Sequence, residues 1–582
     1  MKQLAIIVAF VLLLRLPFLD QAIQGDDVYY LAGAQHAQVD PLHPHHARYF
    51  YLGQMVDMRG HPHPPLNAWA LGVLLAIFGD VREGPYHAVY ILFSLIAAVG
   101  MWRLAQAFSP RPLWATLLFC VTPAFVVNGN SLEADVPFAA FWIAAFAFFL
   151  ARRFGWAAAA LALASLAAYQ AVVATPILWV WCWLRLRDSR QAWLVSLTPI
   201  LTIGAFQLYE RWTSGALPAA VLAGYMASYG LQQIANKLRN AAALAVHLTW
   251  IVNPLVLLRA LFPLRTLVNR DSVFLLAWIG IYFAAALVLF FAGSARYLLP
   301  IAPAVCLLVS QRVSKPWLIG GVVAQAALAL ALATVNYFHW NGYRQFAAEA
   351  MRLAGSRRVW VNGEWGLRYY LESLGAMPVE RDRALRPGDV IVSTELGYPV
   401  PITHGGGTLA PLLDRDITAP LPLRLIGLGA KSAYSTAQAG LRPFDIVFGP
   451  IDRVHARIVI ERKPTLSWLP MSHRDAAAHI VSGVYDLEEG RWRWTSRRAV
   501  FLLRPPPQPR PFEIRGYIPP QAAVKEITVT IDGNRFTFVR GSVMVTPPLS
   551  GSVVTLEADR TFSVPGDHRE LGFIVSGLGF VP

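Results

Sequence analysis

From residue 4 to about residue 340 the chain is a succession of apolar runs parted by short polar loops. A helix needs roughly 20 apolar residues to cross a bilayer core, and about 17 will serve. Runs at 4–19, 86–107, 112–128, 134–151, 155–173, 174–186, 191–209, 241–262, 273–292, 295–311 and 316–338 meet or approach that length. They predict about 11 spans, with the short run 174–186 leaving the count open by one or two. Two stretches are too long to be simple links. Within 20–85, the segments 28–38 and 69–78 read as short interfacial helices. Within 215–240, an uncharged apolar run at 216–229 precedes Lys237 and Arg239, the pattern of an amphipathic interfacial segment.

Beyond residue 343 the pattern is that of a globular protein. Strand-like runs at 358–362, 389–393, 445–448 and 457–461 and a helical run at 367–374 predict an α/β region. From about 476 apolar and polar residues alternate with period two. Turns at Glu488-Glu489-Gly490 and 532–534 separate the runs, and Pro505-Pro506-Pro507 is a stiff linker. The expected organisation is a mainly α polytopic membrane domain over 1–342, an α/β domain over 343–470 and a β-sandwich over 471–582.

Charge sharpens this picture. Only 15% of the residues are charged, where a soluble chain carries about a quarter. The formal net charge is +15, but the arginines form no single patch, which argues against nucleic acid as a partner. Many sit in short loops between apolar runs. With Lys2 cytoplasmic, the arginine-rich loops 109–111, 152–153, 185–190, 259–270 and 311–315 all fall on the cytoplasmic side. The opposite loops are 20–85, 128–135, the link at Tyr169-Gln170, 209–240 and 293–296, and an odd number of spans puts the C-terminal domains outside. The remaining positive charge suits anionic lipid or phosphate. Cys120, Cys182 and Cys306 lie in apolar runs and form no disulfide or zinc pattern. The first run lacks a small-x-small cleavage site with a soluble domain behind it, so it reads as an uncleaved span.

The outer loops hold the candidate chemistry. Gly25-Asp26-Asp27-Val28-Tyr29-Tyr30 follows the first run directly. Two adjacent carboxylates at the mouth of a span mark either a boundary or a site, because hydrocarbon cannot solvate them. His61-Pro62-His63-Pro64-Pro65-Leu66 follows in the same loop. Glu133-Ala134-Asp135-Val136-Pro137 and Arg296-Tyr297-Leu298-Leu299-Pro300 lie in later outer loops. A carboxylate can deprotonate an acceptor hydroxyl, and an arginine can hold phosphate bidentately and stabilise a leaving group. Together at headgroup depth they suit chemistry on a lipid-linked phosphate. Plainer readings stand beside these: Asp135 as a helix N-cap, Arg296 as an interfacial anchor, Pro64-Pro65 as a rigid turn. His43, His45, His46, His61 and His63 are dense enough for a metal, yet no ligand spacing fixes them. A solvated loop is the simpler reading there, and a bound divalent cation stays open.

Asp26-Asp27-Val28-Tyr29-Tyr30, His63-Pro64-Pro65-Leu66, Asp135-Val136-Pro137 leading into Phe141-Trp142, and Arg296-Tyr297-Leu298-Leu299-Pro300 together resemble a known family. It is that of bacterial membrane glycosyltransferases related to the protein O-mannosyltransferases and the lipid A aminoarabinose transferase, which have the GT-C fold. The resemblance covers roughly residues 1–340; each motif alone is weak, and the four in order are specific. It implies a GT-C-like membrane domain in a bacterial inner membrane. The implied reaction is inverting transfer of a sugar from a polyprenyl-phosphate-linked donor to an acceptor hydroxyl, without a covalent enzyme intermediate. By resemblance Asp26 is the general base, and Asp27 fills a second catalytic position that is often Glu in the family. Arg296 with Tyr297 would bind the lipid phosphate. Glu133, Asp135, His63 and Tyr30 would shape the donor or acceptor pocket. The implied partners are the lipid-linked sugar, membrane lipid and a glycan, lipid or protein acceptor; no cofactor is firmly implied.

The C-terminal stretches Tyr485-Asp486-Leu487-Glu488, Arg491-Trp492-Arg493-Trp494-Thr495 and 567–572 resemble β-sandwich modules appended to bacterial cell-surface sugar enzymes. Trp492 and Trp494 share one strand face, as a sugar-stacking platform or as a core pair. Two other classes of function compete with the enzyme. A transporter or flippase of lipid-linked sugars predicts polar residues in mid-span and broken, repeated helices, whereas the charges here sit mainly at span ends. A silent glycan-binding membrane protein has no need of both Asp26 and Arg296.

Overall fold

The computed structural model describes residues 2–228, 233–261, 269–289, 292–461, 463–520, 522, 525–531, 534–539, 543–564, 567 and 569–581. Parts of the expected loops at 209–240 and 259–270, the ends of runs 241–262 and 273–292, and positions 532, 533 and 568 therefore lie outside the described residues. The chain divides into two compact units. One joins Met1–Tyr49, Met55–Arg344 and Ile417–Asp452; the other joins Phe50–Gln54, Gln345–Asp416 and Arg453–Pro582. The sequence reading assigns 417–452 to the α/β domain. In the structure this segment lies with the helical unit, because Leu425 and Tyr434 are buried in its core.

The first unit is helical, and small residues set how closely its helices approach. Glu83–Phe108 and Asp135–Leu150 meet at Gly100, where an added Cβ would come 3.0 Å from the Ile143 side chain. Phe146 stacks on Trp278 of Arg270–Leu289, with ring centroids 4.0 Å apart. These contacts fix the helix that opens with Asp135 beside the one that leads to Arg296.

Among the described residues, three helices are long and apolar enough to cross a membrane alone: Glu83–Phe108, Arg270–Leu289 and Lys315–Ala354. Two bent pairs raise the number to five if each is one crossing: Arg190–Ser196 with Thr198–Ser214, bent by 40°, and Ile234–Thr249 with Pro254–Leu261, bent by 85°. The sequence predicts more, and the difference lies in apolar runs that do not stay helical. Run 112–128 breaks into Pro112–Cys120 and Pro123–Asn128, since Pro123 brings no N–H and disfavours helix in the residue before it. Asp135–Leu150 has 16 residues and Phe154–Ala167 has 14, lengths of about 24 and about 21 Å. The last helix runs the other way: the apolar run ends at 338, but the helix continues through 40 residues to Ala354.

In the second unit a five-stranded sheet takes the order Met377–Pro378, Val359–Asn362, Val390–Thr394, Asp452–Glu461, Gly407–Ile417. Val359–Asn362 pairs in parallel with Val390–Thr394 and with Met377–Pro378, and Trp365–Ser373 is the helix that joins it to Met377–Pro378. The all-β part, expected as a sandwich, is one hydrogen-bonded sheet of nine strands. Its terminal strands Asn534–Val539 and Val543–Leu549 bury Phe538 and Met544 in one core, so the sheet curls on itself. The turn at Glu488-Glu489-Gly490 is present, with Glu489 at φ 49° and Gly490 at φ 67°. Trp492 and Trp494 are a core pair: their rings lie 6.0 Å apart, and Trp494 is buried with Leu571 and Ile574.

Candidate functional site

Carboxylate side chains from two separate stretches of the first unit converge on Arg296. The short turn Ala295–Leu298 that carries it is pinned by the carbonyl of Tyr434, which accepts from the Ala295 N–H at 3.0 Å and the Ser294 hydroxyl at 2.9 Å. One terminal nitrogen of Arg296 donates to Glu133; the other donates to Asp26 Oδ2 at 3.1 Å. Its Nε lies 3.8 Å from Asp135 Oδ2, an ion pair too long for a hydrogen bond.

The loop bearing Glu133 and Asp135 is held by groups that local pattern does not flag. Arg15, at the end of the first helix, is 2% exposed. Its guanidinium donates to the carbonyls of Phe125 at 2.6 Å and Val126 at 2.5 Å and to the Ser94 hydroxyl at 3.1 Å. A Cβ on Gly129 would collide with this guanidinium, so only glycine admits it. Asn67 donates to the Leu132 carbonyl at 2.7 Å and accepts from the Tyr90 hydroxyl at 2.7 Å.

Asp26 and Asp27 sit in opposite surroundings. Asp27 is fully buried; Oδ1 accepts from the Leu132 N–H at 2.8 Å and Oδ2 from the Gln24 N–H at 3.0 Å. Its carboxyl staples the two loops together. The Asp26 side chain is 40% exposed, and its backbone N–H donates to Glu133 Oε1 at 3.3 Å. Gly25 makes the approach feasible. It adopts φ +41°, and a Cβ there would come 2.9 Å from Glu133 Oε1.

Four carboxyl groups surround one guanidinium, so the fully ionised site is net negative. Burial pushes Asp27 up to about 7, against the two backbone N–H groups that favour its charged form, with Asp26 adding to the rise. Burial also holds Glu133 well above the usual range; Arg296 opposes this, and Asp26 and Asp135 reinforce it. Arg296 itself would be lowered by burial, but Glu133, Asp135 and Asp26 outweigh that and keep it charged. Burial raises the Tyr30 phenol, which also feels Asp135 and Glu133. Burial takes the Tyr297 phenol up to about 12, against the pull of Arg296.

The structure thus brings together Asp26, Glu133, Asp135 and Arg296, with Tyr297 adjacent in sequence. Tyr30 packs edge-on to His61 at 4.8 Å and lies 5.7 Å from His63. His63 Nδ1 is 3.1 Å from the Ala167 carbonyl, so Nδ1 carries the proton and Nε2 is the basic nitrogen. Asp135 Oδ2 is buried without a hydrogen-bond donor among the described residues. A narrow apolar crevice of about 30 Å³ lies beside Ala295, lined by Thr122, His247, Trp250, Leu299, Tyr434 and Phe444. The Tyr434 hydroxyl donates to Asn128 at 2.9 Å across 306 residues. No periodicity or motif singles out Tyr434, Asn128 or Asn67. Arg15, a buried charge at the end of an apolar run, carried the one usable signal. Among the described residues, the His and carboxylate groups that converge as metal ligands do are Asp40, His43 and His46. His45, His61 and His63 are buried ring to ring instead, at 5.6 and 5.8 Å.

No family model matches the sequence, and no curated relative matches it. Solved structures do. ArnT from Cupriavidus metallidurans bound to undecaprenyl phosphate matches with TM-score 0.46 and 14% identity, over 70% of this chain and 96% of that one. The arabinofuranosyltransferase AftD from mycobacteria matches with TM-score 0.42 and 13% identity, over 99% of this chain and 58% of that one. The arabinosyltransferase EmbB from Mycobacterium smegmatis matches with TM-score 0.28 and 13% identity, over 100% of this chain and 64% of that one. The chain spans less than two thirds of the length of AftD and of EmbB.

Proposed function

We propose that the chain is an integral membrane glycosyltransferase. It moves a sugar from a polyprenyl-phosphate-linked donor to an acceptor hydroxyl, with inversion and with Asp26 as general base. The observation that carries the proposal is the division within the carboxylate pair: Asp27 is sealed by two backbone N–H groups, while Asp26 is accessible and bonded to Arg296. A general base must reach its proton, and only Asp26 can.

In the proposed step the acceptor oxygen attacks the anomeric carbon from the face opposite the phosphate. The new carbon–oxygen bond forms as the bond to the phosphate oxygen breaks, and the hydroxyl proton passes to Asp26. The leaving polyprenyl phosphate carries the electron pair, and Arg296 meets its charge. Two of the five N–H donors of Arg296 make hydrogen bonds among the described residues, which leaves donors for phosphate oxygens. Phosphate arriving at Arg296 also competes with Asp26 for the guanidinium, which frees the base when the donor binds. Glu133 and Asp135 hold Arg296, and Asp27 is a positioning residue. Asp135 Oδ2, which accepts no hydrogen bond among the described residues, would accept one from a sugar hydroxyl. Tyr297, next to Arg296 in sequence, and Tyr30 with His63 would shape the donor or acceptor pocket.

About 11 passes, an N-terminus in the cytoplasm, the site on the outer face of a bacterial inner membrane and outer C-terminal domains complete the proposal. The acceptor is a glycan, lipid or protein hydroxyl. No step requires a cation. The test is transfer from a panel of polyprenyl-phosphate sugars in proteoliposomes. Asp26→Asn should lower turnover by about 10²- to 10⁴-fold while retaining donor binding; unchanged turnover overturns the assignment.

A further inference from the structure

A second group of ligating side chains lies on the loop that follows the helix Asp27–His36. Asp40, His43 and His46 recur at three-residue intervals, and their ligand atoms all lie within 4.8 Å of one another. His43 Nδ1 is 2.9 Å from Asp40 Oδ2. The rings of His43 and His46 stack with centroids 4.3 Å apart. From the other side, Thr198–Ser214 supplies Tyr209 and Glu210. The Tyr209 hydroxyl is 2.8 Å from His43 Nε2, and Glu210 Oε2 is 2.7 Å from His46 Nε2.

Glu210 is the informative member. Its side chain is 3% exposed; its carboxylate meets the His46 imidazole at 2.7 Å and interacts at longer range with the charge of Arg59. A carboxylate removed from water needs a compensating cation or several donors. A divalent ion between the two imidazoles and the two carboxylates would supply it beside the long-range contribution of Arg59.

We propose that Asp40, His43, His46 and Glu210 bind one divalent transition-metal ion of the zinc class. Two imidazole nitrogens and two carboxylate oxygens are a ligand set that zinc accepts. Tetrahedral ligands at zinc distances lie about 3.3 Å apart, so closure from the observed spacing needs side-chain rotation rather than a new fold. With His43 Nδ1 on the metal beside Asp40, Nε2 keeps the Tyr209 hydroxyl, the outer-shell bond that fixes the ring. The ion is structural. It ties the loop to Thr198–Ser214, and the same loop carries His45, whose buried ring packs against His61 and through it against Tyr30.

The test uses the full chain, purified without a histidine tag, stripped with a chelator and titrated with zinc chloride or cobalt chloride alone. One zinc per chain should bind, the cobalt form should show the intense visible bands of a four-coordinate site, and about a hundredfold excess of calcium should not displace either ion. His43→Gln and His46→Gln should each weaken zinc binding by about tenfold or more, while His36→Gln and Asp26→Asn bind as the parent does. Absence of stoichiometric zinc, displacement by calcium, or histidine variants that bind zinc as tightly as the parent overturns the proposal. If those variants fail to fold, the cobalt spectrum of the parent protein decides alone. Because Asp26→Asn is silent here, failure of the metal site and failure of the proposed transfer reaction are separable.

Discussion

Replacing Asp26 and Asp27 one at a time with asparagine should produce two different defects. Asp27 lies with both oxygens on backbone N–H groups, at 2.8 and 3.0 Å, and no exposure. Asparagine keeps one acceptor and turns an NH₂ towards the other N–H. Leaving that buried donor unsatisfied costs about 1 to 3 kcal/mol. The cost should depend on pH. The folded carboxyl is pushed up to about 7, against about 3.9 in an unfolded chain. Between those values the folded state holds more protons than the unfolded one, so the contribution of Asp27 falls as pH rises. Three pKa units set an upper bound of about 4 kcal/mol on that fall. Asparagine does not titrate. The destabilisation by Asp27→Asn should therefore be largest below about pH 4 and shrink as the pH rises to about 7. Asp26 is half-exposed with one hydrogen bond to Arg296, so its replacement should cost no more than about 1 kcal/mol and abolish transfer instead. Thermal melts in detergent across pH, beside single-turnover transfer in proteoliposomes, read the two effects separately. If Asp27→Asn melts like the parent with an unchanged pH slope, the staple is refuted. If Asp26→Asn stays within about threefold of the parent rate, the base is refuted.

Other substitutions follow from the same contacts. Arg296→Lys keeps one charge but cannot bond Asp26 and Glu133 together; donor affinity should fall about tenfold or more, read by lipid-phosphate binding, and unchanged affinity would return Arg296 to an interfacial anchor. Gly25→Ala places a Cβ 2.9 Å from Glu133 Oε1 at φ +41°. It should lower both stability and transfer, and a neutral outcome in melts and rate would contradict the tight approach. Arg15→Met leaves the Phe125 and Val126 carbonyls without their donors and should destabilise by about 2 to 4 kcal/mol, seen as a lowered melting point. A stable Arg15→Met protein would mean that the 128–135 loop is held by Asn67 and Asp27 alone.

Much of the architecture was legible in residue order. Apolar run length marks where helices can lie in a membrane, because hydrocarbon tolerates no unpaired backbone group. Period-two alternation marks the β region from 476 onward. Motif order nominated Asp26, Glu133, Asp135 and Arg296, which the fold brings together. Run length did not reveal where apolar stretches break, as at Pro123 and Pro254. It also missed that the final helix continues past its apolar run to Ala354.

The sequence alone determined which residue types were available at the site: a carboxylate pair after the first run, two further carboxylates and one arginine. Only the tertiary structure decided what each does. Asp26 and Asp27 are chemically identical neighbours, and nothing in their order separates them. The separation comes from Leu132, more than a hundred residues away, whose backbone N–H fills one oxygen of Asp27. It comes equally from Arg296, whose guanidinium reaches Asp26. The physical reason is that burial and partner geometry set the reach and charge of an acid, and both are properties of packing between distant segments.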